Sequence, residues 1–385
     1  MRAPGPQSTT TRPVERILGV VEGRRPGKTV IAFGGLHGNE PAGLEAVRSV
    51  LAQLQRPGTD LAGKLVGVAG NLQAIAADQR FLARDLNRGW TAESCRRIVT
   101  PHADECPEDR EQRELLELIR PLEAESRDPL VILDLHSTSG PAAPFSIIPD
   151  VARNRQLALS LPIPTLLGLE EILEGAMFGY LCSRGHMGVG VEGGQHSDPE
   201  TAARLEAVVW LSMVATGNLP ADRVPDLPGQ RERLRRAAST LPPAVRIVHR
   251  HEIDDDDDFQ MEPGFDNFTP VRRGQLLARD RHGPVRAALD GLVMLPRYQG
   301  QGNDGFFLGT KVTRRWLMLS ATARRSRMER LLALWPGLHW DASDPNTLRY
   351  GGTEPPSAML RTLRLLGYHG VRAKPPGLEF FRRPP

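Results

Sequence analysis

Along the first 216 residues, hydrophobic and polar positions alternate between two textures. Short continuous apolar runs at 29–33, 65–69, 130–133 and 188–191 predict strands buried on both faces. Longer stretches between them carry apolar residues at helical spacing. Residues 41–54 place Leu44, Val47, Val50, Leu51 and Leu54 on one face. Pro41 suits the start of that helix, because its missing N–H would be unpaired there anyway. Residues 108–119 and 199–214 also read as helices. This alternation predicts an α/β domain over 14–220, with a mixed, largely parallel sheet covered by helices on both faces.

The texture then changes. The stretch "NLPADRVPDLPGQRERLRR" reads as a linker with a short helix, and 221–243 is assigned to it. Residues 244–311 hold short β segments with turn punctuation, which predicts a small all-β module. Residues 312–385 are Arg-rich, with helical patterns near 314–334 and 356–367, and carry no functional signal. Residues 1–13, rich in Pro, Ser, Thr and Gly, are expected to be disordered.

Composition narrows the function. Forty-nine basic against 46 acidic residues leave a net charge of +3, which argues against a nucleic-acid protein. No apolar run approaches the roughly 20 residues that span a bilayer. The N-terminal stretch lacks the apolar core of a secretory signal. Three cysteines, Cys95, Cys106 and Cys182, form no disulfide framework and suit a cytoplasmic protein. Cys95, His102 and Cys106 match no common zinc spacing, and the run Asp254 to Asp258 reads as a solvated loop. The expected partner is a small-molecule substrate, neither nucleic acid nor membrane; homo-oligomerisation is compatible with the sequence.

The chemistry gathers where strands end. The first run leads into "GGLHGNEPAG", with His37 and Glu40. The third is followed by His136 in "DLHST", and the fourth by Glu192 in "VEGGQ". In open α/β sheets ligands bind beyond the carboxyl ends of strands, so these residues could converge. Two histidines and a glutamate are one form of catalytic zinc site, with a fourth position left for water. A separate carboxylate must then take and return a proton, and Glu192 fits. The segment "DQRFLARDLNRGW" adds arginines: Arg80 suits a developing oxyanion, and Asn87 with Arg88 suits a substrate carboxylate. Each residue alone has a plainer reading. A histidine after a strand can be a loop residue, Glu40 can favour a helix start, and the arginines can sit on a solvated turn.

The ordered set "GGLHGNE", "DLNR", "DLHST" and "VEGGQ" resembles the succinylglutamate desuccinylase and aspartoacylase family, related to the zinc carboxypeptidases. The resemblance covers about 28–311 and includes the β module, which looks like a barrel-sandwich hybrid. It implies one zinc per chain on His37, Glu40 and His136, with Glu192 as catalytic base and acid. It also implies that Arg80 polarises the scissile carbonyl, that Asn87 and Arg88 hold the substrate's α-carboxylate, and that Asp85 orients His37. Tyr180, Arg184 and His186 stand in a spacing that does not align with the family's acyl-reading residues; Tyr298 in the β module could reach the site, and His196 in "GGQHSD" reads as a loop residue before the next helix. Residues 245–310 contain no lysine, which excludes a swinging-arm carrier and leaves shielding of the site as the module's expected task. The expectation is a zinc amidohydrolase acting on an N-acyl amino acid or related small amide. The alternatives are a metallocarboxypeptidase for short peptides and a non-catalytic protein on the same scaffold.

Overall fold

The structure is a computed structural model that describes residues 13–382, except 57, 102, 174, 255, 299, 327, 369, 375 and 376. The expected disorder of the N-terminus therefore falls almost wholly outside the described residues, as do His102 and Asp255.

Eight strands lead from the N-terminus through the α/β region: β1 (Ile17–Glu22), β2 (Arg25–Gly34), β3 (Ala62–Ala69), β4 (Val131–Thr138), β5 (Phe145–Ile148), β6 (Thr165–Leu167), β7 (Met187–Gln195) and β8 (Ala244–Glu252). Six follow in the β-rich region: β9 (Gln260–Met261), β10 (Thr269–Val271), β11 (Leu276–Asp280), β12 (Gly283–Arg286), β13 (Gly291–Met294) and β14 (Asp304–Val312). The main sheet runs in the order β1-β3-β2-β4-β7-β5-β6-β8-β14-β13-β10. Its heart, β3-β2-β4-β7, is parallel. From β8 onward the pairing is antiparallel.

Alternation along the central strands builds two cores. In β2, Val30 and Ala32 face one side, while Ile31 and Phe33 face the other. In β4, Val131 and Leu133 join the first core and Ile132 the second. The helices Ala42–Leu54 and Glu200–Ala215 cover the first face. The helices Pro107–Glu125 and Met177–Ser183 cover the second. Val47, Val50, Leu51 and Leu54 are all buried, each contributing about 1.5–3 kcal/mol.

The segment read as a linker contains the helix Leu227–Ala237, which packs on Glu200–Ala215 through the fully buried Leu234. β8 then pairs in parallel with β6, so the main sheet passes without a break into the β-rich region. A second sheet, β12-β11-β9, closes over β10, β13 and β14 around Val271, Leu277, Val293 and Phe306.

The C-terminal stretch holds more than helices. Its helical pattern near 314–334 divides into the helix Arg314–Arg325 and a 3-10 turn, Met328–Leu334. Four further strands form an antiparallel sheet: β15 (Leu338–Trp340), β16 (Thr347–Tyr350), β17 (Gly370–Lys374) and β18 (Gly377–Phe381), in the order β15-β16-β18-β17. The helix Ser357–Leu365 packs on it through Met359 and Leu363.

A buried charge cluster ties this unit to the main sheet. The Asp150 carboxylate meets Arg155, Arg246 Nη2 at 3.2 Å and Arg324 Nη2 at 3.1 Å, and Arg324 Nη1 donates to the Asp150 carbonyl at 2.7 Å. Ser320 of the Arg314–Arg325 helix accepts from Arg155 at 3.0 Å. Burial, with Arg155 and Arg246 nearby, lowers the Arg324 guanidinium to about 10 despite Asp150. Removing one member of a buried ion cluster leaves its partners desolvated. Asp150→Ala should therefore cost about 3–5 kcal/mol, read as a fall in the denaturant midpoint; a loss below about 1 kcal/mol, the scale of an exposed pair, would refute the anchoring role.

Candidate metal centre and its pocket

The end of β2 is shaped by sterics. Gly35 has φ +72°, a conformation that favours glycine. A Cβ on Gly38 would stand 2.1 Å from the Ala74 carbonyl carbon, so only glycine fits there. This turn delivers His37 and Glu40, 5% and 2% exposed, before the helix Ala42–Leu54 begins. On β4, Asp134 and His136 share a face by the two-residue period. The β4–β7 register sets His136 directly opposite Glu192.

The histidines converge on Glu40. His37 Nδ1 lies 2.8 Å from Glu40 Oε1, and His136 Nδ1 lies 3.0 Å from Oε2. The Ser137 backbone N–H also donates to Oε2 at 3.0 Å. The far side of each ring meets another carboxylate: Asp85 Oδ1 is 3.2 Å from His37 Nε2, and Asp134 Oδ1 is 2.9 Å from His136 Nε2. One ligand atom from each of His37, Glu40 and His136 lies within 4.8 Å of the others, all three residues being buried.

This donor set fits a metal ion. Two imidazoles and a carboxylate are zinc ligands, and carboxylates behind metal-bound imidazoles orient the rings. Glu192 Oε2 and Asp134 Oδ2 are buried without a hydrogen-bond partner, as expected of anions arranged around a cation. The proton balance agrees. Burial alone would raise Glu40 and lower His136. Instead the two imidazoles hold Glu40 well below the carboxylate range, and Asp134 with Glu40 holds His136 well above the usual imidazole value. Glu192 is pushed up to about 8 by burial, helped by Glu40 and Asp134 and opposed by His136 and Arg80.

The 78–90 segment lies along the same cleft. Arg80 Nη2 donates to Asp85 Oδ2 at 3.1 Å, and its Nη1 is 3.5 Å from Glu40. Burial would raise Asp85, but His37, Arg80 and Arg88 keep it well below its ordinary value. The Asn87 side-chain carbonyl accepts from the Met177 N–H at 2.8 Å, and its Nδ2 stands 3.4 Å from His136 Nε2. Arg88 Nη2 is engaged by Asp304 of β14 at 2.9 Å. Sequence reasoning missed the residue that shapes this segment. Glu108, fully buried, accepts backbone N–H bonds from Leu82 at 2.7 Å and from Ala83 and Arg84 at 3.2 Å each. Its only sequence signal is an acid in the first turn of a helix, which is commonplace.

His37, Glu40, Arg80, Asp85, Asn87, Arg88, His136 and Glu192 all line one cleft of about 1100 Å³, counting its open mouth. Ile147, Leu173, Phe178 and Phe307 supply apolar walls. Leu295, Pro296, Arg297, Gln301 and Asp304 of the β-rich region close one side, and Gln301 Nε2 reaches the Phe81 carbonyl at 3.3 Å. Four residues whose part in the site the sequence left open stand outside this lining. Tyr180 packs on Trp90, Arg184 pairs with Glu123, and Tyr298 holds the Phe265 and Glu262 backbone through its hydroxyl. His196 Nδ1 lies 2.7 Å from Ser137 Oγ.

Comparison with known proteins agrees with this arrangement. Residues 26–174 match the succinylglutamate desuccinylase/aspartoacylase catalytic domain. The chain is 34% identical over 135 residues to an N-acyl-aromatic-L-amino acid amidohydrolase of Rattus norvegicus, covering 34% of this chain and 40% of that protein. It is 32% identical over 74 residues to a succinylglutamate desuccinylase of Photorhabdus laumondii, covering 19% and 23%. The matched stretches thus span less than half of these curated relatives. Among solved structures, the desuccinylase of Vibrio parahaemolyticus superposes with a TM-score of 0.55 at 16% identity, covering 75% of this chain and 83% of that one. Murine aminoacylase 3 gives 0.52 at 20%, covering 75% and 97%. Residues 26–174 thus resemble the catalytic domain of the succinylglutamate desuccinylase/aspartoacylase family, and the chain shares the fold of these solved structures.

Proposed function

We propose that the protein is a zinc-dependent amidohydrolase that cleaves an N-acyl amino acid or a related small amide. The observation that carries this reading is the pairing of His136 with Glu192 across β4 and β7. It sets a carboxylate with a raised pKa and an unpartnered oxygen beside a buried His–Glu–His cluster. The names of the curated relatives, an N-acyl amino acid amidohydrolase and a succinylglutamate desuccinylase, point the same way.

Held by His37, Glu40 and His136, one zinc ion per chain would supply a water nucleophile with a pKa near 7. Glu192 takes the proton from the attacking water and returns it to the leaving nitrogen. Arg80, whose Nε is buried and without a partner, turns toward the scissile carbonyl and stabilises its developing negative charge. Asp85 fixes the ring of His37 and anchors Arg80. Asn87 Nδ2 and the remaining N–H groups of Arg88 bind the substrate's carboxylate. The β-rich wall over the cleft favours a small amide over a peptide, and so favours this reading over a carboxypeptidase.

A hydrolysis screen of N-acyl amino acids beside dipeptides, with zinc-loaded protein, tests the reading; turnover of dipeptides alone would defeat it. Glu192→Gln should keep about one zinc per chain by metal analysis while kcat falls at least about 100-fold. Unchanged kcat would remove Glu192 from the chemistry. Zinc binding should also release protons. With its pKa raised, metal-free His136 holds a proton at neutral pH that the metal must displace. Apparent affinity should therefore climb with pH, about tenfold per unit for one proton released, until the raised pKa is passed. Calorimetry in buffers of different ionisation enthalpy reads this directly, and a pH-independent affinity would contradict it.

A further inference from the structure

Asp304 opens β14 in the β-rich region, 216 positions beyond Arg88 in sequence, yet its carboxylate lies in the cleft. Its Oδ2 accepts from Arg88 Nη2 at 2.9 Å, and its Oδ1 accepts from Arg250 Nε at 2.6 Å. Arg250 lies on β8, the strand hydrogen-bonded to β14, so the carboxylate is held from both sides. We propose that Asp304 is a specificity-determining residue: it occupies one arm of the Arg88 guanidinium and turns away acyl groups that carry a carboxylate of their own. The inference rests on the reading of Arg88 as the clamp for the amino acid's carboxylate.

The charges around the cleft support it. Arg88 has five N–H donors; one on Nη2 goes to Asp304 and one on Nη1 to the Asn87 carbonyl at 3.0 Å. What remains serves one carboxylate. The other arginines of the lining are already engaged: Arg80 with Asp85, and Arg297 Nη2 with the Gly300 carbonyl at 2.7 Å. Against these three arginines the cleft sets Glu40, Asp85, Asp134, Glu170, Glu192 and Asp304. Even with a dication at the metal centre these groups carry no surplus of positive charge, so a substrate carboxylate depends on Arg88 for its counter-charge and a second carboxylate finds none. Beyond the polar floor, Ile147, Leu173, Phe178 and Phe307 offer an acyl group apolar surface and no cation. The substrate class this selects is an N-acyl amino acid with an uncharged acyl group. A second carboxylate beside Asp304 would meet like charge in a partly desolvated cleft, which is how a binding site rejects a competitor.

The test compares kcat/KM for the N-acetyl and N-succinyl derivatives of the same amino acid, using the full zinc-loaded chain. Wild type should favour the acetyl compound. Asp304→Asn, which keeps the shape and removes the charge, should raise the succinyl-to-acetyl ratio about tenfold, equivalent to about 1.4 kcal/mol. Asp304→Glu should keep the wild-type ratio. Should the Asn variant not fold, Asp304→Ser removes the same charge and carries the same expectation. A ratio that stays put in the neutral variants, or both rates falling together, overturns the proposal. If wild type hydrolyses neither compound, the amidohydrolase reading fails separately. The inference is then judged by calorimetric binding of the same two compounds, where the same tenfold change of ratio is expected and its absence overturns it.

Discussion

Two buried imidazoles share one buried carboxylate, and much of the molecule is arranged to make that tolerable. Glu40 is 2% exposed, and a carboxylate so placed is costly unless charges and donors surround it. Here His37 and His136 meet its two oxygens, and the Ser137 N–H adds a third contact. Each contact reaches back into the fold. His37 depends on a turn that accepts no side chain at Gly38. His136 depends on the parallel pairing of β4 with β2 and β7, and that pairing depends on apolar cores on both faces of the sheet. A slip of one residue in β4 would turn His136 and Asp134 to the opposite face and scatter the cluster.

Around this centre the chain uses carboxylates as organisers more than as surface charge. Glu108 gathers three successive backbone N–H groups and so fixes the path of the segment carrying Arg80, Asp85, Asn87 and Arg88. Asp85 joins that segment to His37. Asp304 joins it to the β-rich region. The cleft is thus bounded by three parts of the chain, each held to the next by a buried or half-buried acid, and its walls cannot move independently without breaking charge-assisted hydrogen bonds.

What the sequence disclosed follows from how local each signal is. The central strands are continuous apolar runs because both their faces are covered, and they read plainly. The donors at their ends read plainly too, because strand ends in such sheets are where ligands bind. β5 and β6 were not visible: four and three residues are too few to display a period. The C-terminal sheet was hidden likewise, since β15 and β16 are equally short and lie among Gly, Pro and Arg. Glu108 and Asp304 escaped for another reason. Locally the first is an ordinary helix-start acid, and the second sits in "GNDG", which reads as a turn. Their positions in the site come from contacts across 24 to 26 residues and across 216 residues, which no local pattern encodes.

The continuity of the main sheet gives that last contact its meaning. β8 pairs with β6 on one side and β14 on the other, so the β-rich region is hydrogen-bonded into the frame that holds His37, Glu40 and His136. Arg250 on β8 and Asp304 on β14 are placed by this pairing, and Asp304 in turn bears on Arg88. A separate lid on a flexible hinge could cover the cleft, but it would not hold the Asp304 carboxylate as firmly within hydrogen-bonding distance of Arg88. Because the strands are continuous, the region that closes one side of the cleft also sets part of the charge inside it.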